Sequence, residues 1–500
     1  MDNLRWVTVV IVLLYHVLYM YNAEGILGGV GKITDLSVQH YDAFMYLVYP
    51  WIMPVLYIVA GISSRIVLDK HTNKEFIRSR TRKLLVPSTI GVFVFHFIQG
   101  YVSMSFGDAF TALATEGVPA PVIFLIMVAS GSGVLWFCHL LWIYSLILVL
   151  IRKIEKGRLL NLGAKTPVWL ILLLFFPLWG AAQILNAPII SVYRFGYYLA
   201  FFLAGYYIFS NDQVIEKLRK YAVWFIAAGS ALCVAFTVIC FWLGDGMNYA
   251  DKPVNVGPLY VACSYFGSLA MLAGFAKFGD ISNKFTGWMC KRSFGLYVFH
   301  YLGISSMALI FAKPGLLPAP LCYIISLIAG FVFGYGLYEI ISRIPFYRWA
   351  VLGISKKRRR KMFKDNLTEL RKLKNMSQEE LADRIGVSRQ TLSKYETGES
   401  LPDIEKCKLI ADVFEVSMDD LINYDRRDSG NQGLYVPPKG KHIFGMVKVG
   451  DKGQIVIPAK ARAIFDINPG DNLIVLGDEG QGIAIIKEKG LLDMIRQARG

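Results

Sequence analysis

Apolar stretches of bilayer-crossing length fill the first 345 residues, near 4–22, 44–68, 85–106, 134–151, 168–187, 195–210, 221–243, 257–278, 293–312 and 319–342. Roughly 20 apolar residues cross the hydrocarbon core as a helix, and a backbone in lipid must satisfy its own polar groups. Residues 1–345 are therefore expected to form an all-α polytopic bundle of about ten transmembrane helices. The stretch at 121–130 is apolar but short and reads as re-entrant. The first stretch reads as a true span, not a cleaved signal peptide, because Asp2 offsets Arg5 and polar residues sit inside it.

Charge sets the orientation. A net charge of +16 invites a nucleic-acid reading, yet residues 1–361 hold 32 Lys+Arg against 15 Asp+Glu, while 362–500 hold 21 against 22. The basic excess belongs to the membrane half, so any claim of DNA binding must rest on motifs. With Met1 inside, the loops Lys70 to Lys83, Arg152 to Lys165, Lys217 to Lys220, Lys277 to Arg292 and Arg343 to Lys361 place 26 basic residues on one side. Lys32, Arg194, Lys252 and Lys313 fall on the other. The positive-inside rule then makes the N-terminus cytosolic, and an even number of spans returns the C-terminus there. The seven scattered cysteines form no C-x-x-C pair, so neither a disulfide framework nor a metal site is expected.

Ionisable groups in hydrocarbon need a reason to be there. Arg5 and His16 stand eleven residues apart, three helical turns, which puts both on one face with His16 about 16 Å deeper. On spacing alone two readings stand level: a snorkelling arginine with a hydrogen-bonded histidine, or a functional pair.

Asp2-x-Leu4-Arg5 followed by His16 resembles the first span of the integral-membrane acyltransferases of the acyltransferase 3 type. Tyr57-Ile-Val-Ala-Gly61 is similar to that family's second-span motif, Arg78-x-Arg80-x-Arg82-Lys-Leu-Leu-Val-Pro87 to its basic loop, and Ser293-Phe-Gly-Leu-Tyr297-Val-Phe-His300 to its late Tyr/His span. Leu135-Trp136-Phe137 is a weaker match. The pattern departs from the family at Ala60, where a serine is usual, and at Trp6, where a glycine is. The resemblance implies transfer of an acyl group from cytosolic acyl-CoA, a donor substrate and not a tightly bound cofactor, to a hydroxyl on a glycan, lipid or small molecule. It casts His16 as general base with Arg5 beside the donor, Arg78, Arg80 and Arg82 as donor-binding residues, and Tyr297 and His300 as a second tier. Ordinary positive-inside topology explains the arginine loop equally well. His96 and His139 read as structural partners.

Past Ile354 the composition breaks at the basic run Lys356 to Lys361, inside a juxtamembrane linker spanning 346–363; such a run suits anionic headgroups. Residues 364–425 read as five helices. Ser377-Gln-Glu-Glu380 is a capping box, Gly386-Val387 a turn, and Ser388 the cap of a helix with Leu392 and Tyr395 inside and Arg389, Gln390 and Lys394 outside. Met376 to Pro402 resembles the Cro/repressor-like, xenobiotic-response-element type of helix-turn-helix. That resemblance implies double-stranded DNA as partner, with Arg389, Gln390 and Lys394 facing bases and Gln378 holding phosphate.

A linker at 426–441 precedes short β-rich runs at 446–449, 455–457, 473–476 and 483–486 within a domain spanning 442–490, before a tail at 491–500. Too few strands for a core of their own, they predict an intertwined dimer. Lys452-Gly-Gln-Ile-Val-Ile-Pro458 with Asn468-Pro-Gly-Asp471 resembles the swapped-hairpin family of AbrB, SpoVT and the MazE antitoxin, which implies a small β-barrel homodimer with Lys448, Lys452, Gln454 and Arg462 facing DNA. Gln454 and Ala463 stand where that family often carries a basic residue, and a pure dimeriser is the rival reading.

The combined expectation is a multi-pass acyltransferase of the bacterial plasma membrane, both termini cytosolic, fused to a dimeric transcription regulator. The alternative is a membrane-anchored regulator whose spans sense or tether without catalysis; a transporter is a third option. Met362-Phe-Lys-Asp-Asn-Leu also reads as the start of a self-sufficient regulator. The Lys and Arg codons just ahead of it can contain AGGAGG, so a second product beginning at Met362 is expected.

Overall fold

The computed structural model describes residues 2–488 apart from 26–27, 108, 156, 188–192, 245–246, 280, 355–356, 425–435, 443, 445–446, 448, 451–452 and 481. The chain divides into two compact units, Met1–Ser355 and Lys356–Gly500.

Among the described residues of the first unit, eight helical segments are long and apolar enough to cross a membrane: Asn3–Met20, His40–Leu68, Asn73–Phe106, Gly133–Glu155, Ala222–Leu243, Pro258–Phe278, Lys284–Ala312 and Ala319–Arg343. The expected ten is thus corrected at two places. The stretch at 168–187 belongs to a pair, Arg158–Ala164 and Val168–Ala182, bent by 115° and a ninth span only if counted as one. Pro167 sits at the break, and a proline disfavours helical backbone in the residue before it. The stretch at 195–210 forms a helix of 13 residues, Phe195–Tyr207. At 1.5 Å per residue it reaches about 20 Å, short of the ~30 Å core. It begins where expected, just after the isolated antiparallel bridge between Asn186 and Arg194, but ends at Tyr207. The apolar segment at 121–130 is an 11-residue helix, Ala120–Ser130.

Five helices frame the interior: α1 (Asp2–Met20), α2 (Ala43–Leu68), α3 (Phe195–Tyr207), α4 (Pro258–Phe278) and α5 (Lys284–Met307). α1 packs on α2 and α5, and α2 on α3 and α4. α2 contains Pro50 and Pro54. Pro54 has no N–H for the Pro50 carbonyl four residues back, and the Ser264 hydroxyl of α4 donates to that carbonyl instead. α2 and α3 cross backbone to backbone: a Cβ on Gly61 would strike the Phe202 carbonyl oxygen, and one on Gly205 the Ile58 carbonyl oxygen.

The second unit has its own core of Phe363, Leu367, Leu370, Leu381, Ala382, Ile385, Leu392, Ile410 and Leu421, built by α6 (Lys357–Leu373), α7 (Gln378–Ile385), α8 (Arg389–Thr397), α9 (Ile404–Val413) and α10 (Met418–Asn423). The capping box closes both ways at the head of α7: the Ser377 amide donates to Glu380 Oε2 at 2.7 Å and the Glu380 amide to Ser377 Oγ at 3.1 Å. Gly386 ends α7 at φ +64°, a backbone that glycine adopts without strain.

The expected closed β-barrel is not what forms. Among the described residues, β1 (Leu473–Asp478) and β2 (Gly482–Lys487) make an open two-stranded antiparallel sheet in the register Leu473↔Lys487 to Asp478↔Gly482. Residues 455–457 form no strand; with two strands paired and no second layer over them, Val456, Val475 and Ile483 stand exposed.

Candidate functional site

His16 and His300 meet. His300 Nδ1 lies 3.0 and 2.9 Å from the carbonyl oxygens of Leu296 and Tyr297 on its own helix. A carbonyl only accepts, so Nδ1 carries the proton and neutral His300 presents a bare Nε2. That Nε2 is 3.0 Å from His16 Nδ1, which is also 2.9 Å from the Val12 carbonyl. Both neighbours of His16 Nδ1 are acceptors, so Nδ1 holds the proton and Nε2 holds the lone pair. The network assigns one tautomer to each ring and leaves His16 Nε2 as a base.

Aromatic rings enclose this pair. Tyr15, Tyr19 and Tyr301 have ring centroids 5.2, 6.0 and 5.1 Å from His16. Tyr15 stacks on Tyr49 at 5.6 Å, and its hydroxyl meets that of Tyr249 at 3.1 Å. His16, Tyr19 and Tyr49 nevertheless keep some accessible surface, so space reaches them. Tyr297 lies 6.3 Å from His300 ring to ring, and its hydroxyl donates to the Val134 carbonyl, which ties the segment before Trp136 to α5.

At the other end of α1, Arg5 Nη2 donates to Ser63 Oγ and Arg80 Nη2 to Ser64 Oγ, each at 2.8 Å. Adjacent serines of α2 thus gather two arginines that are 75 positions apart in the sequence. Arg80 also lies over the Phe76 ring at 5.0 Å. Arg78 is exposed and outside this cluster, and the Arg82 Nε is buried with no hydrogen-bond partner. Trp6 donates to Asn3 at 3.1 Å, and Asn3 holds the carbonyls of Gly279 and Ile281 at 2.9 and 2.7 Å. His139 Nε2 lies 2.7 Å from the Ser88 carbonyl, and His96 is buried, stacked on Phe299 at 5.9 Å.

In the second unit Arg389, Gln390 and Lys394 are exposed on α8. Arg389 Nε reaches Glu379 at 3.0 Å. Gln378 donates to Glu396 at 2.8 Å, and Glu396 pairs with Arg371 at 2.6 Å, a bond that raises the Arg371 guanidinium above its ordinary range. Gln454 and Arg462 are exposed; Lys448 and Lys452 lie outside the described residues.

Comparison with known proteins matches residues 1–339 to the acyltransferase domain family of the acyltransferase 3 type. The chain belongs to that family. Residues 367–421 match the helix-turn-helix family, and 446–493 the family of the MazE bacterial antitoxin, described as antidote-toxin recognition, so all three resemblances find their families in the expected order. The helix-turn-helix segment is 41% identical over 61 residues to the HTH-type transcriptional activator BcrR of Enterococcus faecalis, 12% of this chain and 30% of that one. It is 38% identical over 63 residues to the HTH-type transcriptional regulator AnsR of Bacillus subtilis, 13% of this chain and 54% of that one. It is 45% identical over 58 residues to the cryptic phage CTXphi transcriptional repressor RstR of Vibrio cholerae, 12% and 52% of the two chains. The chain therefore spans about half the length, or less, of these curated relatives. No solved structure matches it.

Sequence reasoning about the acyltransferase domain missed Ser63 and Ser64, whose role depends on a crossing of helices. It missed Tyr15 and Tyr49 as ordinary span aromatics, and it counted Arg194 only as a loop charge.

Proposed function

We propose that the membrane unit moves an acyl group from acyl-CoA to a hydroxyl acceptor, with His16 as general base. The His16–His300 hydrogen bond carries this reading, because it leaves a lone pair on His16 Nε2 deep in the bundle. The acceptor hydroxyl gives its proton to Nε2 as its oxygen attacks the thioester carbonyl; the carbon–sulfur bond breaks and the CoA thiolate leaves, taking up a proton. The imidazolium formed on His16 keeps its Nδ1–H on His300 Nε2, so His300 is a positioning residue. Arg5 and Arg80 supply positive charge at the cytosolic mouth, where guanidinium groups suit the phosphates of CoA. His16 is fourteen residues past Asp2 and four short of Met20, closer to the far side, which favours an acceptor arriving from there.

The C-terminal unit, in this reading, binds duplex DNA through Arg389, Gln390 and Lys394, with Gln378 on phosphate and Lys448, Lys452, Gln454 and Arg462 as further basic or polar contacts. A second copy covers the exposed apolar residues of the last domain. Both termini lie in the cytosol. Purified full-length protein in nanodiscs, given radiolabelled acetyl-CoA and a membrane glycolipid extract, tests the enzyme. Label in the extract with wild type and none with His16→Ala is expected, and equal label in both refutes the assignment.

A further inference from the structure

Arg194 stands buried at the head of α3 with 4% of its surface exposed. One of its N–H groups donates to the Asn255 carbonyl at 2.9 Å. Its Nε and Nη1 have no hydrogen-bond partner, and among the described residues no carboxylate pairs with it. Its charge lies 3.9 Å from the Tyr197 ring centroid and 5.5 Å from that of Tyr260. Ring faces stabilise the cation from above but accept nothing from the N–H groups at its edge. An unpaired buried charge costs several kcal/mol unless something completes it.

The surroundings say where the missing partner comes from. α3, at about 20 Å, is too short to cross the bilayer alone, and Arg194 at its head is enclosed by the unit. From the Tyr260 ring beneath Arg194, aromatic contacts run to Phe236 at 5.6 Å, Tyr46 at 6.4 Å and Tyr249 at 4.8 Å; the Tyr249 hydroxyl meets that of Tyr15 at 3.1 Å, and Tyr15 sits 5.2 Å from His16. A chain of aromatic side chains, mostly tyrosines, therefore joins the unpaired guanidinium to His16. Tyrosine offers an apolar face and a polar tip, suited to a polar molecule that must pass through hydrocarbon.

We propose that Arg194 recognises an oxyanion, a carboxylate or phosphate, on the acceptor, and so holds the acceptor while its hydroxyl reaches His16. This rests on the acyl-transfer reading for the word acceptor; the binding site itself does not. The oxyanion belongs either to a soluble molecule or to a lipid headgroup, and the two are separable.

The test uses the full chain, wild type, Arg194→Gln, Arg194→Lys and His16→Ala, each checked by gel filtration and followed by thermal unfolding. The soluble arm adds glucuronate, with glucose as its neutral counterpart. The lipid arm compares nanodiscs of dioleoylphosphatidylglycerol with nanodiscs of a neutral galactolipid. An anion should stabilise wild type and His16→Ala alike, and Arg194→Gln should bind it about 10- to 100-fold more weakly, as expected for a lost charged hydrogen bond. Stabilisation by glucuronate alone assigns a soluble acceptor, and by phosphatidylglycerol alone a lipid one. No stabilisation of wild type by either anion, or equal stabilisation of wild type and Arg194→Gln, overturns the proposal. If Arg194→Gln does not fold, Arg194→Lys is scored the same way, since it keeps the charge and loses the fork. Anion binding in a protein without acyl transfer would refute the enzyme reading and leave the site standing.

Discussion

His300 Nε2 accepts the Nδ1–H of His16 at 3.0 Å, across 284 residues of sequence. The bond fixes which nitrogen of His16 is basic, and it separates the two histidines by role. His16→Ala should remove about 10²- to 10⁴-fold of turnover, the usual share of a general base. His300→Leu should cost up to about 10⁴-fold in kcat, the scale of loss when the partner that fixes a catalytic tautomer is removed, while changing the pH profile of kcat. His300→Gln, whose side-chain oxygen still accepts, should recover part of the loss. Equal kcat and pH profile in His300→Leu and wild type would remove the positioning role.

Arg5 and Arg80 share a site that Arg78 does not enter. Arg5→Ala and Arg80→Ala should each raise KM for acyl-CoA by about tenfold or more, one lost charged hydrogen bond being worth at least 1.5 kcal/mol. Arg78→Ala should change it less than twofold. Initial rates over a range of acyl-CoA concentrations decide this, and a uniform effect of all three would return the loop to simple topology.

The second unit has a core of its own, so residues 356–500 can be measured alone. They should sediment as a dimer and bind duplex DNA with affinity falling steeply as salt rises. Arg389→Ala should relax base preference at one position, costing about 1–3 kcal/mol there. Gln378→Ala should weaken all sequences alike. A monomer, or salt-independent affinity, counts against the reading.

Ser377→Ala should lower the stability of that unit by about 1 kcal/mol, measured by urea unfolding, because it opens the capping box. The Ser377 amide and hydroxyl hold the Glu380 carboxyl below its ordinary range. A depressed carboxyl contributes stability above its unfolded value of about 4.3 and loses it as pH falls through the lower folded value. The gap between wild type and Ser377→Ala should therefore narrow on acidification below that range.

A C-terminal tag should reveal two products, the full chain and a shorter one beginning at Met362. Recoding Arg358 to Arg360 with CGN codons should abolish the shorter band without changing the protein. One band before and after recoding would show that the basic run serves only as protein.

Long apolar runs made the membrane bundle legible, and short-range chemistry did the same for the helix-turn-helix: Ser377, Gly386 and Ser388 act within a few residues of where they stand. The span count failed where composition and geometry part company. Phe195–Tyr207 is rich in aromatic and apolar residues, yet its helix ends at Tyr207 and stops short of span length, which no hydropathy window registers. The sheet failed for a related reason, since the apolar run at 455–457 shows strand composition but not which strand, if any, it pairs with, and in the fold it forms none. Within the candidate site, Arg5 and His16 were readable because they share one helix. Ser63, Tyr49 and Arg194 were not, because each gains meaning from a neighbour on another.

The crossing of Gly61 and Gly205 has a reach beyond its own contact. With carbonyl oxygens filling both gaps, α3 cannot slide along α2 by one turn without driving a side chain into backbone. The helix is pinned like a peg at a set depth, and Arg194, eleven residues from Gly205, rides on it. A methyl group added at Gly205 would then be felt about 16 Å away, as a guanidinium standing at the wrong height.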